Sequence, residues 1–221
     1  MKSFAKIPEL LFLIALIACA AQVSCGRKTI EKNYYLLEFP IIADSTEFAH
    51  TPHTRDYCEI LPPQVYPAFA QHRIAMRSGS HQVSYFISHE WAVRPDEAIS
   101  NLIEGYVQSR GLFAGVASRV WPLQPQYQLR TRVQRLEAVQ DDKKLTAHLH
   151  IDFELFHRIT GRVVVSHSSD RYQPLDRKNM DLFALTISAM LAAELQVLAD
   201  KIATYLITPS DAPNPTDKDR Q

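Results

Sequence analysis

The chain of 221 residues carries 24 Lys+Arg against 24 Asp+Glu and is 46% hydrophobic, which suits one packed domain and leaves no charge excess for wrapping nucleic acid. No nucleic-acid partner is expected. Its three cysteines include no Cys-x-x-Cys pair, which excludes a disulfide scaffold, a zinc knuckle and a thioredoxin-like redox site.

Residues 1–18, MKSFAKIPELLFLIALIA, set Lys2 and Lys6 ahead of an apolar run that extends from Leu10 to Ala21. This is the layout of a secretory signal peptide. The run of roughly 12 residues would reach about 18 Å as a helix, against a hydrocarbon core of about 30 Å, so it is too short for a permanent span. At its end Leu16-Ile17-Ala18-Cys19 resembles the lipobox of bacterial lipoproteins. Cys25, within Gln22-Val23-Ser24-Cys25-Gly26, is the alternative: its apolar run is longer, but Gln22 stands where the pattern prefers leucine. The signal peptide is accordingly 1–18, or 1–24 in the alternative, and residues 19–33 form a lipidated N-terminus and flexible spacer. Processing at Cys19 leaves Cys25 and Cys58 together and allows a disulfide between them; processing at Cys25 leaves Cys58 alone. The resemblance to lipoproteins implies several acyl chains, each stabilising attachment by about 0.8 kcal/mol per buried CH₂, hence a firm tether. Neither Ala20 nor Gly26 is the aspartate that marks inner-membrane retention, so the implied membrane is the outer one.

Tyr34 to Phe39, YYLLEF, reads as a first buried strand that stops at Pro40. From Ile41 to Pro67 prolines dominate, with Pro62-Pro63 as a breaker and a short strand near Tyr57 to Leu61. Arg73 to Arg77 and Gln82 to Val93 are two strand candidates around the turn-like Ser78-Gly79-Ser80. Arg94-Pro95-Asp96-Glu97 starts a helix, because proline suits the first turn and carboxylates suit the positive end of the dipole. Its apolar stripe is Ile99, Leu102, Ile103, Tyr106 and Val107, and Gly111 ends it. Arg119 to Pro125, with Trp121, is strand or connector.

The clearest signal is LTAHLHIDFELF, in which Leu145, Ala147, Leu149, Ile151, Phe153 and Leu155 alternate with Thr146, His148, His150, Asp152 and Glu154. Tyr127, Leu129, Thr131 and Val133 alternate with Gln128, Arg130, Arg132 and Gln134 more weakly, and Asp141-Asp142-Lys143-Lys144 joins the two as a hairpin tip. With Val163 to Tyr172, reached through Ile159-Thr160-Gly161, residues 127–172 form an antiparallel meander with one covered face. The cover is a helix from Asn179 to Leu206, striped by Ala184, Ile187, Leu191, Leu195, Leu198, Ile202 and Tyr205, with Ser188, Gln196, Asp200 and Lys201 on its other side. The expected fold is two-layer α+β over residues 34–206, a mainly antiparallel or mixed sheet with two helices on one face, followed by a disordered tail, 207–221.

His148, His150 and Asp152 share a strand face and would ligate a metal only if a fourth ligand approached; the wet side of an amphipathic strand accounts for them without one. His89-Glu90-Trp91 lacks the second histidine of a zinc-protease helix, and neither a Gly-x-Ser-x-Gly elbow nor a phosphate-cradling glycine loop is present. Asp96-Glu97 and Asp141-Asp142 have structural explanations as a helix first turn and a hairpin tip. Arg130 and Arg132 form a basic stripe that could meet phospholipid head groups or an acidic partner, though a solvated face also explains it. Trp91 and Trp121 read as core or interface anchors and Cys58 as a small, partly buried residue. No catalytic residue, cofactor or metal is assigned.

The order of pieces is informative: an anchor cysteine, a spacer, Tyr34-Tyr35-Leu36-Leu37, a strand with Arg73-Ile74-Ala75, then Ser88-His89-Glu90-Trp91-Ala92 before Arg94-Pro95 and its helix, the meander and a long C-terminal helix. Together they resemble the ABC-type transport auxiliary lipoprotein component family. That resemblance implies a non-enzymatic periplasmic partner of an MCE-type protein and its ABC permease and ATPase, in systems that move lipids or other hydrophobic molecules between membranes. Some members assemble into homo-oligomeric rings. A lipoprotein hydrolase using His148 or His150, and a structural lipoprotein bridging envelope components, are the rival readings.

Overall fold

Strict alternation over twelve residues produces the longest strands of the computed structural model, which describes residues 30–39, 52–118, 124–141 and 144–208. The chain divides into two units, Met1–Glu31 and Lys32–Gln221, and the following concerns the second. Cys19, Cys25 and Trp121 lie outside the described residues, as does nearly all of the 207–221 segment expected to be a disordered tail.

Strands β7 (Tyr127–Asp141), β8 (Lys144–His157) and β9 (Arg162–Leu175) form the meander. β7 and β8 pair antiparallel from Asp141↔Lys144 to Tyr127↔His157, so the two strands join as expected, although Asp142 and Lys143 of the tip lie outside the described residues. β8 and β9 pair from His157↔Arg162 to Leu145↔Leu175. Gly161, at φ 68°, takes the left-handed conformation that the turn between them requires. All six apolar positions of the β8 pattern are buried, from Leu145 at 3% exposure to Leu155 at 0%.

The other long edge of β7 is lined end to end by three short parallel strands: β2 (Tyr57–Ile60), β3 (Gln64–Val65) and β4 (Arg73–Arg77). Outside β2 lies β6 (Gly115–Ala117), parallel to it. Outside β4 lies β5 (Val83–Trp91), antiparallel, and then β1 (Asn33–Tyr35), parallel to β5. The nine strands make one open, mixed sheet. Of the two expected arrangements the mixed one forms: the meander is antiparallel, while β2, β3 and β4, laid one after another along the 15-residue β7, run parallel to it. The first strand is also shorter and less buried than its sequence suggests: it ends at Tyr35, Tyr34 is 61% exposed, and only Leu37 is fully buried, at 6%, with Tyr35 and Phe39 packed partly buried against the core.

Helix α1 (Pro95–Ser109) starts at Pro95 with Asp96 and Glu97 in its first turn, and Arg94 pairs with Asp96 at 2.9 Å. Gly111, at φ 59°, follows its C-terminus. It packs on β2, β3 and β6 and buries Ile99, Ile103 and Val107. Helix α2 (Met180–Ile207) begins at Asn179, whose side chain accepts hydrogen bonds from the Asp181 and Leu182 amides, and packs on β8 and β9. By length and composition α2 would cross a membrane, but its apolar residues are spent on the core, where Phe183, Leu195, Leu198 and Ile202 are each 0% exposed. Ser188, expected on the polar side, is 2% exposed; its Oγ accepts the Glu38 amide and so fixes the segment after β1.

Candidate functional site

Because side chains alternate, the face of the meander opposite the apolar set collects the polar residues of three strands. The register aligns Arg130↔Glu154↔Ser166, Arg132↔Asp152↔Ser168, Arg135↔His150↔Asp170 and Glu137↔His148↔Tyr172. Arg130 and Arg132 share a face with Arg135 and Glu137 only because Gln134 is a one-residue bulge that shifts the alternation from even to odd positions.

At one end of the ladder stands Glu137, 0% exposed. Its Oε1 accepts Arg77 Nε from β4 at 2.8 Å and faces His148 Nδ1 at 3.2 Å, while its Oε2 has no hydrogen-bond partner among the described residues. Burial pushes the Glu137 carboxyl up, but the hydrogen bonds and charges of His148 and Arg77 outweigh it and hold the group below the usual range. The same hydrogen bond raises Arg77. His148 Nε2 lies 2.8 Å from Asp170 Oδ1, and the Tyr172 ring stacks on the imidazole at 3.8 Å. His148 is therefore not on a wet surface as its sequence position suggests; it is 3% exposed, enclosed by Tyr172 and two carboxylates.

In the middle, His150 is 3.8 Å from both Asp152 and Asp170, too far for hydrogen bonds. Asp152 accepts Ser168 Oγ at 2.6 Å and Gln134 Nε2. Burial raises the Asp152 carboxyl, yet those two bonds with the charges of His150 and Arg132 hold it below its ordinary value. Nucleophilic catalysis requires the base to touch the hydroxyl, and here the carboxylate of Asp152 stands between Ser168 and His150. Among the described residues neither His148 nor His150 hydrogen-bonds a serine or threonine hydroxyl. His148, His150 and Asp152 do share a face, but no group of metal-ligating side chains is assembled among the described residues.

At the other end, Arg130 lies over the Phe156 ring at 4.4 Å and Arg132 is 4.0 Å from Asp152. A cavity of about 210 Å³ opens here, lined by these two arginines, Asp152, Glu154 and the Leu61–Pro62 segment. A second, more open groove of about 550 Å³ lies between β9 and α2 at Val164, Val197 and Tyr205. Beside it Glu194, 4% exposed, ties helix to strand by accepting Arg171 Nη1 at 2.7 Å and facing His167 Nε2 at 2.7 Å. Lys201 Nζ donates to the Ser166 carbonyl at 3.3 Å, which guards part of this open edge against a further strand.

The remaining sequence candidates are structural. Glu90 pairs with Lys32 at 2.6 Å, His89 meets the Tyr35 hydroxyl at 2.8 Å, and Trp91 packs on Phe183 in the core. Cys58 is fully buried rather than partly so, and burial pushes its thiol up to about 12.

Among solved structures, a Xanthomonas campestris protein of the DUF330 family aligns at TM-score 0.58 and 19% identity, over 71% of this chain and 87% of its own. An uncharacterized protein aligns at TM-score 0.62 and 16% identity, over 78% of this chain and 99% of its own. These likenesses establish the fold. A PelC dodecamer from Paraburkholderia phytofirmans, at TM-score 0.38, 16% identity and coverage of 66% and 88%, is too distant to bear on how this chain assembles. No protein of curated function matches the sequence. The model of the ABC-type transport auxiliary lipoprotein component family matches residues 35–203, from β1 to the last turns of α2, and the chain belongs to that family.

Proposed function

We propose that this chain is a non-enzymatic lipoprotein, anchored in the outer membrane and facing the periplasm, that serves as an accessory subunit of an ABC/MCE-type system moving lipids or other hydrophobic molecules. The observation that carries the reading is the family match over residues 35–203, preceded by a signal-like segment with a lipobox at Cys19. Its partners would be the MCE-type tunnel protein and the ABC permease and ATPase, with a homo-oligomeric ring as one form of assembly. Cys19 takes the lipid in this reading, and Cys25 is the alternative. With Cys19 as the anchor, Cys25 and Cys58 both remain in the mature chain, and a disulfide between them goes with that reading. The two-layer arrangement, both helices on the apolar face, is supported by the hydrogen bond from Tyr106 of α1 to Gln196 of α2 and leaves the charged ladder on the opposite side.

Mass spectrometry of the mature N-terminus tests the anchor: an acylated cysteine at 19 or 25 supports it, and an unmodified N-terminus elsewhere sinks it. Affinity purification from cross-linked envelopes tests the role. Recovery of an MCE protein and an ABC permease supports the reading; their absence, with an intact outer-membrane barrier after gene deletion, refutes it.

A further inference from the structure

We infer that the cavity beside Pro62-Pro63 binds a small zwitterion, its anionic group on Arg130 and Arg132 and its ammonium on Glu154 and Asp152. The cavity has a local cause. Ile60 pairs with Leu129 and Gln64 with Arg132, so four steps from the end of β2 to the start of β3 are laid against three along β7. Leu61 still extends the ladder by giving its amide to the Leu129 carbonyl at 3.0 Å; the surplus residue falls just after it, where Pro62 and Pro63 have no amide to donate, and the Leu61–Pro62 segment forms one wall of the gap.

Within the gap the charges are not spent on each other. Arg130 and Glu154 are direct cross-strand partners, a position at which opposite charges ordinarily pair. Here Arg130 is instead drawn over Phe156 at 4.4 Å, and no hydrogen bond or ion pair links it to Glu154 among the described residues. Arg132 reaches Asp152 only at 4.0 Å. Guanidinium donors and a half-buried Glu154 carboxylate therefore face the same space with donors and acceptors to spare.

The sign pattern selects the ligand. A simple anion would be attracted by the two arginines and repelled by the two carboxylates, and a simple cation the reverse. A molecule with both charges a few ångströms apart, about the spacing of cross-strand neighbours, meets complementary groups on both sides. The space of about 210 Å³ is of head-group size and opens to the surface, so any chain attached to the head group would lie outside it. Phosphoethanolamine chemistry fits, whether free or at the head of a phospholipid. Binding at the cavity stands apart from the accessory-subunit reading; only the phospholipid source rests on it.

The test uses the processed full chain in detergent, titrated calorimetrically with O-phosphoethanolamine, inorganic phosphate and ethanolamine. Saturable binding of O-phosphoethanolamine is expected, with either half alone at least about tenfold weaker. Arg130→Gln and Glu154→Gln should each weaken it about tenfold or more with unchanged Tm, while Arg162→Gln on the β9 end changes nothing. Amide shifts of the unsubstituted protein should cluster at Gln64, Arg130–Arg132 and Asp152–Glu154, which checks the location without any variant. Repeating the titration in nanodiscs separates the sources: phosphatidylethanolamine competing with the soluble probe identifies the lipid head group, and absence of competition identifies a free zwitterion. No saturation by about 50 mM, phosphate binding as well as the zwitterion, shifts confined elsewhere, or Glu154→Gln binding normally each overturns the inference. Any of these leaves the partner-recovery test of the accessory role untouched.

Discussion

Substituting Glu137 tests whether the ladder is a designed contact between strands or incidental surface polarity. In Glu137→Ala the Arg77 guanidinium and the enclosed His148 ring lose their shared acceptor, held now at 2.8 and 3.2 Å. Breaking a buried charge pair by removing one partner costs about 3–5 kcal/mol. Arg77 retains 20% exposure and can turn toward water, so the lower part of that range applies, about 3 kcal/mol. At about 2–4 °C per kcal/mol for a chain of this size, Tm should fall by roughly 6–12 °C. Glu137→Gln keeps the shape and an acceptor and loses only the charge assistance, about 1–2 kcal/mol. The pH dependence follows in sign. The folded carboxyl lies below its ordinary value, so its contribution is present above the unfolded pKa near 4.5 and is lost as pH falls through the folded pKa. The gap between wild type and Glu137→Gln should therefore be largest near neutrality and close on acidification. Urea unfolding followed by circular dichroism from pH 7 to about pH 3 measures it. A loss below about 1 kcal/mol for the alanine variant, or a glutamine gap that does not change with pH, would refute the reasoning.

Three further outcomes are expected. Cys58, with its thiol pushed up by burial to about 12, should hold far less thiolate at pH 8 than an ordinary cysteine; iodoacetamide should label it only after denaturation, and rapid labelling of the folded chain would contradict its burial. Asn179→Ala removes the acceptor of the Asp181 and Leu182 amides and should cost about 1 kcal/mol, or 2–4 °C in Tm; no change would mean that the α2 N-terminus is held by packing alone. Deleting Gln134 removes the bulge yet leaves Val133 and Leu136 facing the core, so the chain should still fold, about 1–2 kcal/mol less stable for the lost bond to Asp152. Deleting Ala147 instead turns Leu149, Ile151 and Phe153 outward and should prevent folding; equal solubility and circular dichroism spectra for the two deletions would contradict the register.

Where the sequence proved legible, the signal was local. The β8 alternation, Pro95 opening α1 and Asn179 capping α2 are fixed by residues within one or two turns, and each element begins within a residue of its cue. What was hidden depends on partners distant along the chain. Parallel pairing of β2, β3 and β4 with β7 joins residues more than fifty positions apart. Tyr34 to Phe39 is as apolar as a buried strand but lies at the sheet margin, beside β5. Ser188 reads as polar surface until the Glu38 amide arrives to bond it.

Glu137 shows most clearly how one residue of offset conceals a site. Extending the even-numbered polar face of Arg130 and Arg132 along β7 assigns Glu137 to the core side, where a carboxylate would be an error. The bulge at Gln134 returns it to the polar side, opposite His148. Nothing within Gln134-Arg135-Leu136 marks a bulge; the mark is a phase conflict, Leu129, Thr131 and Val133 odd, Leu136 and Ala138 even, all on the buried face. The same reasoning explains the cavity. Pro62-Pro63 was legible as a breaker, but its consequence, four steps against three, exists only once β7 is known to run beside it. A mismatch of one residue thus sets the charged ladder in one place and opens the space at its end in another. In both, the unusual geometry arises where regular strand pairing is interrupted.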